Sequence, residues 1–145
     1  MKRIVVGVDG SDGATRALEV AARLAMGLGA ELLVVNIAHH HGLSNDALAA
    51  FTRAESGSLA ELMESLAAQN ATRAQDRARE LGVPEVAVEI RIGDAAEALL
   101  EIADERDAAM IVVGKRGTGR LAGMLLGSVS QKLVSLASRV VIVVP

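Results

Sequence analysis

Apolar runs of strand length alternate with stretches of helical spacing along the whole chain, and that alternation restricts the fold more than any other feature. Residues 4–8 are a β-branched run, and "SDGATRALEVAARLAMGLG" follows it with Leu18, Ala21, Ala22, Ala25 and Leu28 at helical spacing. Ser11 is a natural N-cap for that helix, and Gly27 or Gly29 a natural stop. Residues 32–37 read as a second strand, and "HHHGLSND" as a loop. A long helical stretch covers residues 46–81, with a break expected at Ser56-Gly57-Ser58 and a cap at Gly82 before Pro84. Residues 86–92 alternate apolar and other side chains as a third strand. Residues 95–105 read as a short helix, 110–113 as a fourth strand, 125–137 as a last helix and 140–144 as a fifth strand. Strands separated by helices need crossover connections, so the expected fold is α/β: one doubly wound, five-stranded parallel sheet with helices on both faces. No linker or internal repeat interrupts it, and a single domain over residues 1–145 is expected.

The strand patterns imply an order. Four strands are continuous apolar runs, the pattern of strands buried on both faces. The third alternates, which places one of its faces toward water and the strand at an edge. The order 3-2-1-4-5 satisfies this and sets strands one and four side by side where the winding reverses. Ligands of such sheets bind outside the carboxyl ends of the strands at that point. Those ends carry "VDGSDG" and "GKRGTG", so two glycine-bearing turns are expected to face one crevice.

The second of these turns opens "GKRGTGRLAGMLLGS", residues 114–128, in which five of fifteen positions are glycine. Glycine loses the most freedom on folding, so the cluster calls for a reason. A Walker loop does not supply it, because Arg120 and Leu121 stand where Lys and Ser/Thr belong. Residues 117–122 match G-x-G-x-x-A, but that fingerprint belongs to a first crossover with an acidic residue about twenty positions on. Here it lies in the last crossover, and the corresponding stretch reads Ser138-Arg139-Val140.

Composition removes several classes of function. With 51% apolar and 23% charged residues the chain is globular. A net charge of −3 without a basic block, together with one Phe and no Tyr or Trp, offers neither the charge nor the stacking surfaces of a nucleic-acid binder. Zero cysteines exclude disulfides and thiolate metal sites. The opening "MKRIVVGVDGSD" has too short an apolar stretch for a signal peptide, and no run reaches the length of a membrane span. A soluble, cytoplasmic protein without nucleic-acid or membrane partners is the expectation.

A third spacing accounts for the glycines. Gly114-x2-Gly117-x9-Gly127-Ser128, followed by Val129 and Ser130, resembles the universal stress protein family in its ATP-binding branch. Val8-Asp9-Gly10-Ser11 is similar to that family's first turn, "GDAAEALLEIADERDAAMIVVGKRG" to its third helix and fourth strand, and the likeness spans the chain. The resemblance implies an adenine nucleotide, ATP foremost, with Mg²⁺. It implies that Asp9 meets the ribose or the Mg²⁺, and that Val8 and Ile37 line the adenine pocket. It implies that Gly114, Gly117, Gly127, Ser128, Val129 and Ser130 surround the phosphates, with Lys115, Arg116 or Arg120 adding positive charge. A phosphate at the start of the last helix would meet unsatisfied N–H groups and the positive dipole end. Asn36 and Gly7 depart from the His and Pro common at these places in the family, and the last strand lacks the usual preceding Pro.

Simpler roles compete. Asp9 and Ser11 also suit capping of the first helix, and Asp94 suits capping of the short one. Lys115 and Arg116 also suit solvated loop charges. His39, His40 and His41 are adjacent at a strand exit, where successive side chains are expected to point in different directions, and the sequence offers no evident acidic partner, so a metal site is not expected there. The function expected is a nucleotide-binding regulatory module of the stress response. A slow ATPase or phosphotransferase, and a nucleotide-free dimeric interaction protein, are the alternatives. Residues 140–144 form an uncharged, β-prone run at a sheet edge, which invites pairing with a second copy. The resemblance also implies a homodimer through that strand, and a protein partner that the sequence does not name.

Overall fold

Ile4, Val5 and Val6 are wholly buried, so the strand that carries them, β1 (Arg3–Gly7), has helices packed against both faces. The structure is a computed structural model that describes residues 2–38, 58–116 and 126–145. After β1 come α1 (Asp12–Leu28), β2 (Glu31–Ala38), α2 (Ser58–Glu80), β3 (Val86–Ile92), α3 (Ala95–Glu105), β4 (Met110–Gly114), α4 (Ser128–Leu136) and β5 (Val140–Val144). Every strand pairing is parallel and the order is β3-β2-β1-β4-β5, the doubly wound α/β sheet that the alternation predicts. The histidines at 39–41, the first part of the long helical stretch, and Gly117 and Arg120 of the glycine turn lie outside the described residues.

Local chemistry sets the helix ends. The Ser11 hydroxyl accepts the Ala14 N–H at 3.1 Å and starts α1, and Gly29, at φ 62°, ends it in the left-handed conformation. Asp94 accepts the Glu97 N–H at 2.9 Å and starts α3. α4 begins later than the apolar spacing predicts, because Gly127 is extended at φ −69°, ψ 167° and stands outside the helix.

The sheet divides the core into two layers. On one face Ile4, Val6, Leu32 and Val34 meet α1 and α2 through a run of alanines, among them Ala17, Ala21, Ala74 and Ala78. On the other face Val5, Leu33, Val35 and Ile111 meet α3 and α4 through Leu99, Ile102 and Leu133. Small side chains on α1 and α2 let these helices lie close to the strands.

Two edge strands depart from what the sequence pattern suggests. β3 has one face toward water, but that face carries Val88, Ile90 and Ile92, whereas Glu89 and Arg91 are half-buried under α3. β5 is a continuous apolar run, yet it is not buried on both faces. Val140 is 57% exposed and only Val144 is buried. An edge position exposes β5 whatever its composition. No helix among the described residues is long and apolar enough to cross a membrane.

Candidate functional site

β1 and β4 lie side by side, Val5 opposite Ile111, and their carboxyl ends open into a cavity of about 260 Å³. Val8, Asp9, Ile37, Gly114, Lys115, Arg116, Gly127, Ser128, Val129 and Ser130 all line it. Gly117, which the motif spacing adds to this set, lies outside the described residues.

The cavity's walls are held by backbone. A Cβ on Gly114 would stand 2.8 Å from the carbonyl carbon of Gly13, and one on Gly13 would stand 2.6 Å from the carbonyl oxygen of Arg116. Glycine is required at both positions because the exit of β4 and the start of α1 touch main chain to main chain. The Lys115 carbonyl then accepts the Gly127 N–H at 2.8 Å and the Ser130 hydroxyl at 2.9 Å. Ser130 is 1% exposed, and this bond ties the end of β4 to the first turn of α4.

Helix ends differ in a way that matters here. Side chains of Ser11 and Asp94 cap α1 and α3, but Gly127 brings no side-chain acceptor to the first turn of α4. That turn lines the cavity through Ser128, Val129 and Ser130, so backbone donors and a positive dipole end are presented to whatever enters. Asp9 stands across from it and accepts both the N–H and the hydroxyl of Ser11, at 2.9 and 2.5 Å. One serine thus caps α1 and orients the carboxylate, which merges the capping and ligand-facing readings of Asp9 and Ser11.

Three contributions were not read from the sequence. Val35 and Val113 supply apolar wall beside Ile37. Asp94 reaches the cavity because α3, crossing from edge strand β3 to central β4, begins over the middle of the sheet. Lys132 also lines it, and its position four residues after Ser128 was the available signal, since such residues share a helix face. Lys132 Nζ lies 3.1 Å from Glu97 and 3.2 Å from Asp94, and these carboxylates, Glu97 first, raise its pKa. Asn36 faces away from the cavity, because its neighbour Ile37 faces into it. The Asn36 residue is 4% exposed, and its Nδ2 finds no acceptor among the described residues. No cluster of three or more His, Asp or Glu among the described residues could hold a metal ion.

The universal stress protein family model matches residues 1–145. Universal stress protein YxiE of Bacillus subtilis is 29% identical over 98% of this chain and 97% of its own. A universal stress protein of Mycobacterium tuberculosis is 35% identical over 88% of this chain and 85% of its own. Among solved structures, the universal stress protein UspA from Lactobacillus plantarum superposes with a TM-score of 0.80 at 26% identity, covering 99% of this chain and 97% of that one. A universal stress protein in complex with cAMP superposes with a TM-score of 0.70 at 28% identity over 99% of this chain and 97% of that one. Sequence, strand order and cavity agree, and the chain belongs to the universal stress protein family.

Proposed function

We propose that the protein binds an adenine nucleotide, ATP with Mg²⁺ in its fullest form, and serves as a regulatory module whose loaded and empty forms meet partner proteins differently. The observation that carries this reading is the uncapped first turn of α4, aimed into a cavity whose opposite wall holds Asp9. Backbone N–H groups there, with Lys115 and Arg116 beside them, suit phosphate oxygens. Val8, Val35, Ile37 and Val113 offer the flat apolar walls that an adenine ring needs where no aromatic side chain is present. Asp9 suits the ribose hydroxyls or a Mg²⁺ carried in with the phosphates, and the metal's contribution would be to neutralise their charge. The structure of a relative in complex with cAMP supports an adenine nucleotide as the ligand class.

Binding is favoured over turnover. The carboxylates that line the cavity are already engaged, Asp9 by Ser11 and Asp94 by the Glu97 N–H and Lys132. Neither is held ready to take a proton from an attacking water.

Isothermal titration with ATP and Mg²⁺ tests the reading, and saturable heat is expected. Gly127→Val should weaken binding by about tenfold or more, equivalent to about 1.4 kcal/mol. The extended backbone at Gly127 accepts a β-branched residue without strain, so circular dichroism of the variant should match the parent. Absence of heat at millimolar nucleotide overturns the proposal.

We also infer that two copies pair through β5. Its apolar run at the sheet edge leaves Val140 exposed and offers ladder groups to a second strand.

A further inference from the structure

A second cavity, of about 240 Å³, opens between α1 and α2. Its floor is apolar, formed by Val8, Leu18 and Ala74, and one wall is the line Asn70, Arg73 and Arg77 on α2. The turn from Val8 to Ser11 separates it from the cavity described above. Gly10 makes that partition tight: its φ is +84°, and a Cβ there would stand 3.0 Å from Asn70 Oδ1.

Charge is what distinguishes this space. Arg73 and Arg77 lie one helical turn apart on the same face, where like charges repel at a cost of a few tenths of a kcal/mol (about 0.2–0.5). Arg3, Arg91, Arg106 and Arg139 each pair with a carboxylate. Arg73 has no ion pair among the described residues, and Arg77 reaches Glu19 and Glu80 only at 3.4 Å each. Ser11 and Thr15, in the opening turn of α1, also line the space. Two guanidinium groups and an amide therefore stand over an apolar floor, with no carboxylate among the described lining residues.

We propose that this cavity is a second ligand site, which takes a phosphomonoester with a short carbon body. A phosphomonoester carries about −1.5 to −2 charge at neutral pH, which two guanidinium groups match, and charge-assisted bonds to its oxygens are the strong kind. Asn70 donates to the same head group, and the carbon body covers Val8, Leu18 and Ala74. The proposal does not rest on the nucleotide reading: Val8, Ser11 and Ala14 line both cavities, but Asn70, Arg73 and Arg77 of α2 wall this one alone among the described residues.

Phenyl phosphate is the probe, titrated into isotope-labelled protein and followed by nuclear magnetic resonance. The expected result is saturable shifts at the Gly10 amide, the Asn70 side-chain amide and the Arg73 and Arg77 Nε–H groups at millimolar probe. Arg73→Gln combined with Arg77→Gln should raise the dissociation constant by about tenfold or more. If the double variant fails to fold, Arg73→Gln alone, at an exposed side chain with no ion pair among the described residues, should still weaken binding by about threefold. Benzoate, with the same ring and a single charge, should bind more weakly, and so should inorganic phosphate, which lacks the ring. Shifts confined to Gly114, Ser128 and Val129, linear shifts without saturation, or unchanged affinity in the variants overturn the site. Benzoate binding as tightly as phenyl phosphate overturns the choice of head group, and inorganic phosphate doing so overturns the carbon body.

Discussion

The two edges of the sheet face the same physical problem and meet it differently. β3 is guarded by charge: Arg91 pairs with Glu89 at 2.7 Å and also with Glu105, and Arg106 reaches Glu89 at 3.2 Å. These groups come from β3 and from the end of α3 and the residue after it, so they fasten a helix over the edge and surround it with ions that a second strand would have to desolvate. β5 carries no charged side chain, and Arg139, the residue before it, is paired with Asp104 at 2.6 Å. An edge ringed by ion pairs is complete in one chain. An edge left apolar keeps its ladder groups open to a second strand, which is the pairing proposed above.

Charging the bare edge tests that contrast with the largest expected effect. The parent protein should run as a dimer in light scattering at micromolar concentration, and Val140→Lys should run as a monomer, a loss of about a hundredfold or more in association. Val140 is 57% exposed, so the folded protomer tolerates the lysine and circular dichroism should be unchanged. A monomeric parent would remove the interpretation of β5 altogether. The guarded edge should respond in the opposite way. Arg91→Leu should leave the mass unchanged but lower the unfolding free energy by about 2 kcal/mol, because Glu89, with a side chain only 15% exposed, loses its nearest partner. Urea denaturation gives the number, and a change in mass without a change in stability would reverse the comparison.

The smallest effect is in acid. Glu105 is held below the usual carboxylate range by hydrogen bonding to the Arg91 guanidinium. A carboxyl whose folded pKa is depressed stabilises the fold above its unfolded pKa, and that contribution fades as pH falls through the lowered value. The stability difference between the parent and Glu105→Gln should therefore be present at neutral pH and close as the solution is taken below the ordinary glutamate range. No difference at neutral pH would mean that Arg91 holds β3 through Glu89 alone.

The edges also mark how far the sequence could be read. Strand order followed from the alternation of β3 together with the doubly wound pattern of such sheets, while Ser11 and Asp94 marked the starts of α1 and α3, and Gly27 or Gly29 the end of α1, from signals within a few residues. The alternation in β3 was visible, but not which half of it faces water. That depends on Glu101 and Glu105 arriving from α3 to pair with Arg91, a tertiary event with no local signature. In the candidate site the glycine spacing picked out the residues after β4 and at the start of α4. Asp94 and Lys132 were missed because their place depends on where two crossover helices cross the sheet. The reason for Gly114 was also hidden, since Gly13, its close neighbour, is far away along the chain.

That main-chain contact has a consequence for what the scaffold can become. Where the exit of β4 rests on the start of α1, the distance between the two walls is a fixed gauge, set by peptide groups that every sequence shares. Substitutions around the rim can alter which atoms are recognised but cannot move the walls apart, and a larger residue at Gly13 or Gly114 forces the strand off the helix. Redesign toward a bulkier ligand must therefore lengthen one of the two turns and leave both glycines in place.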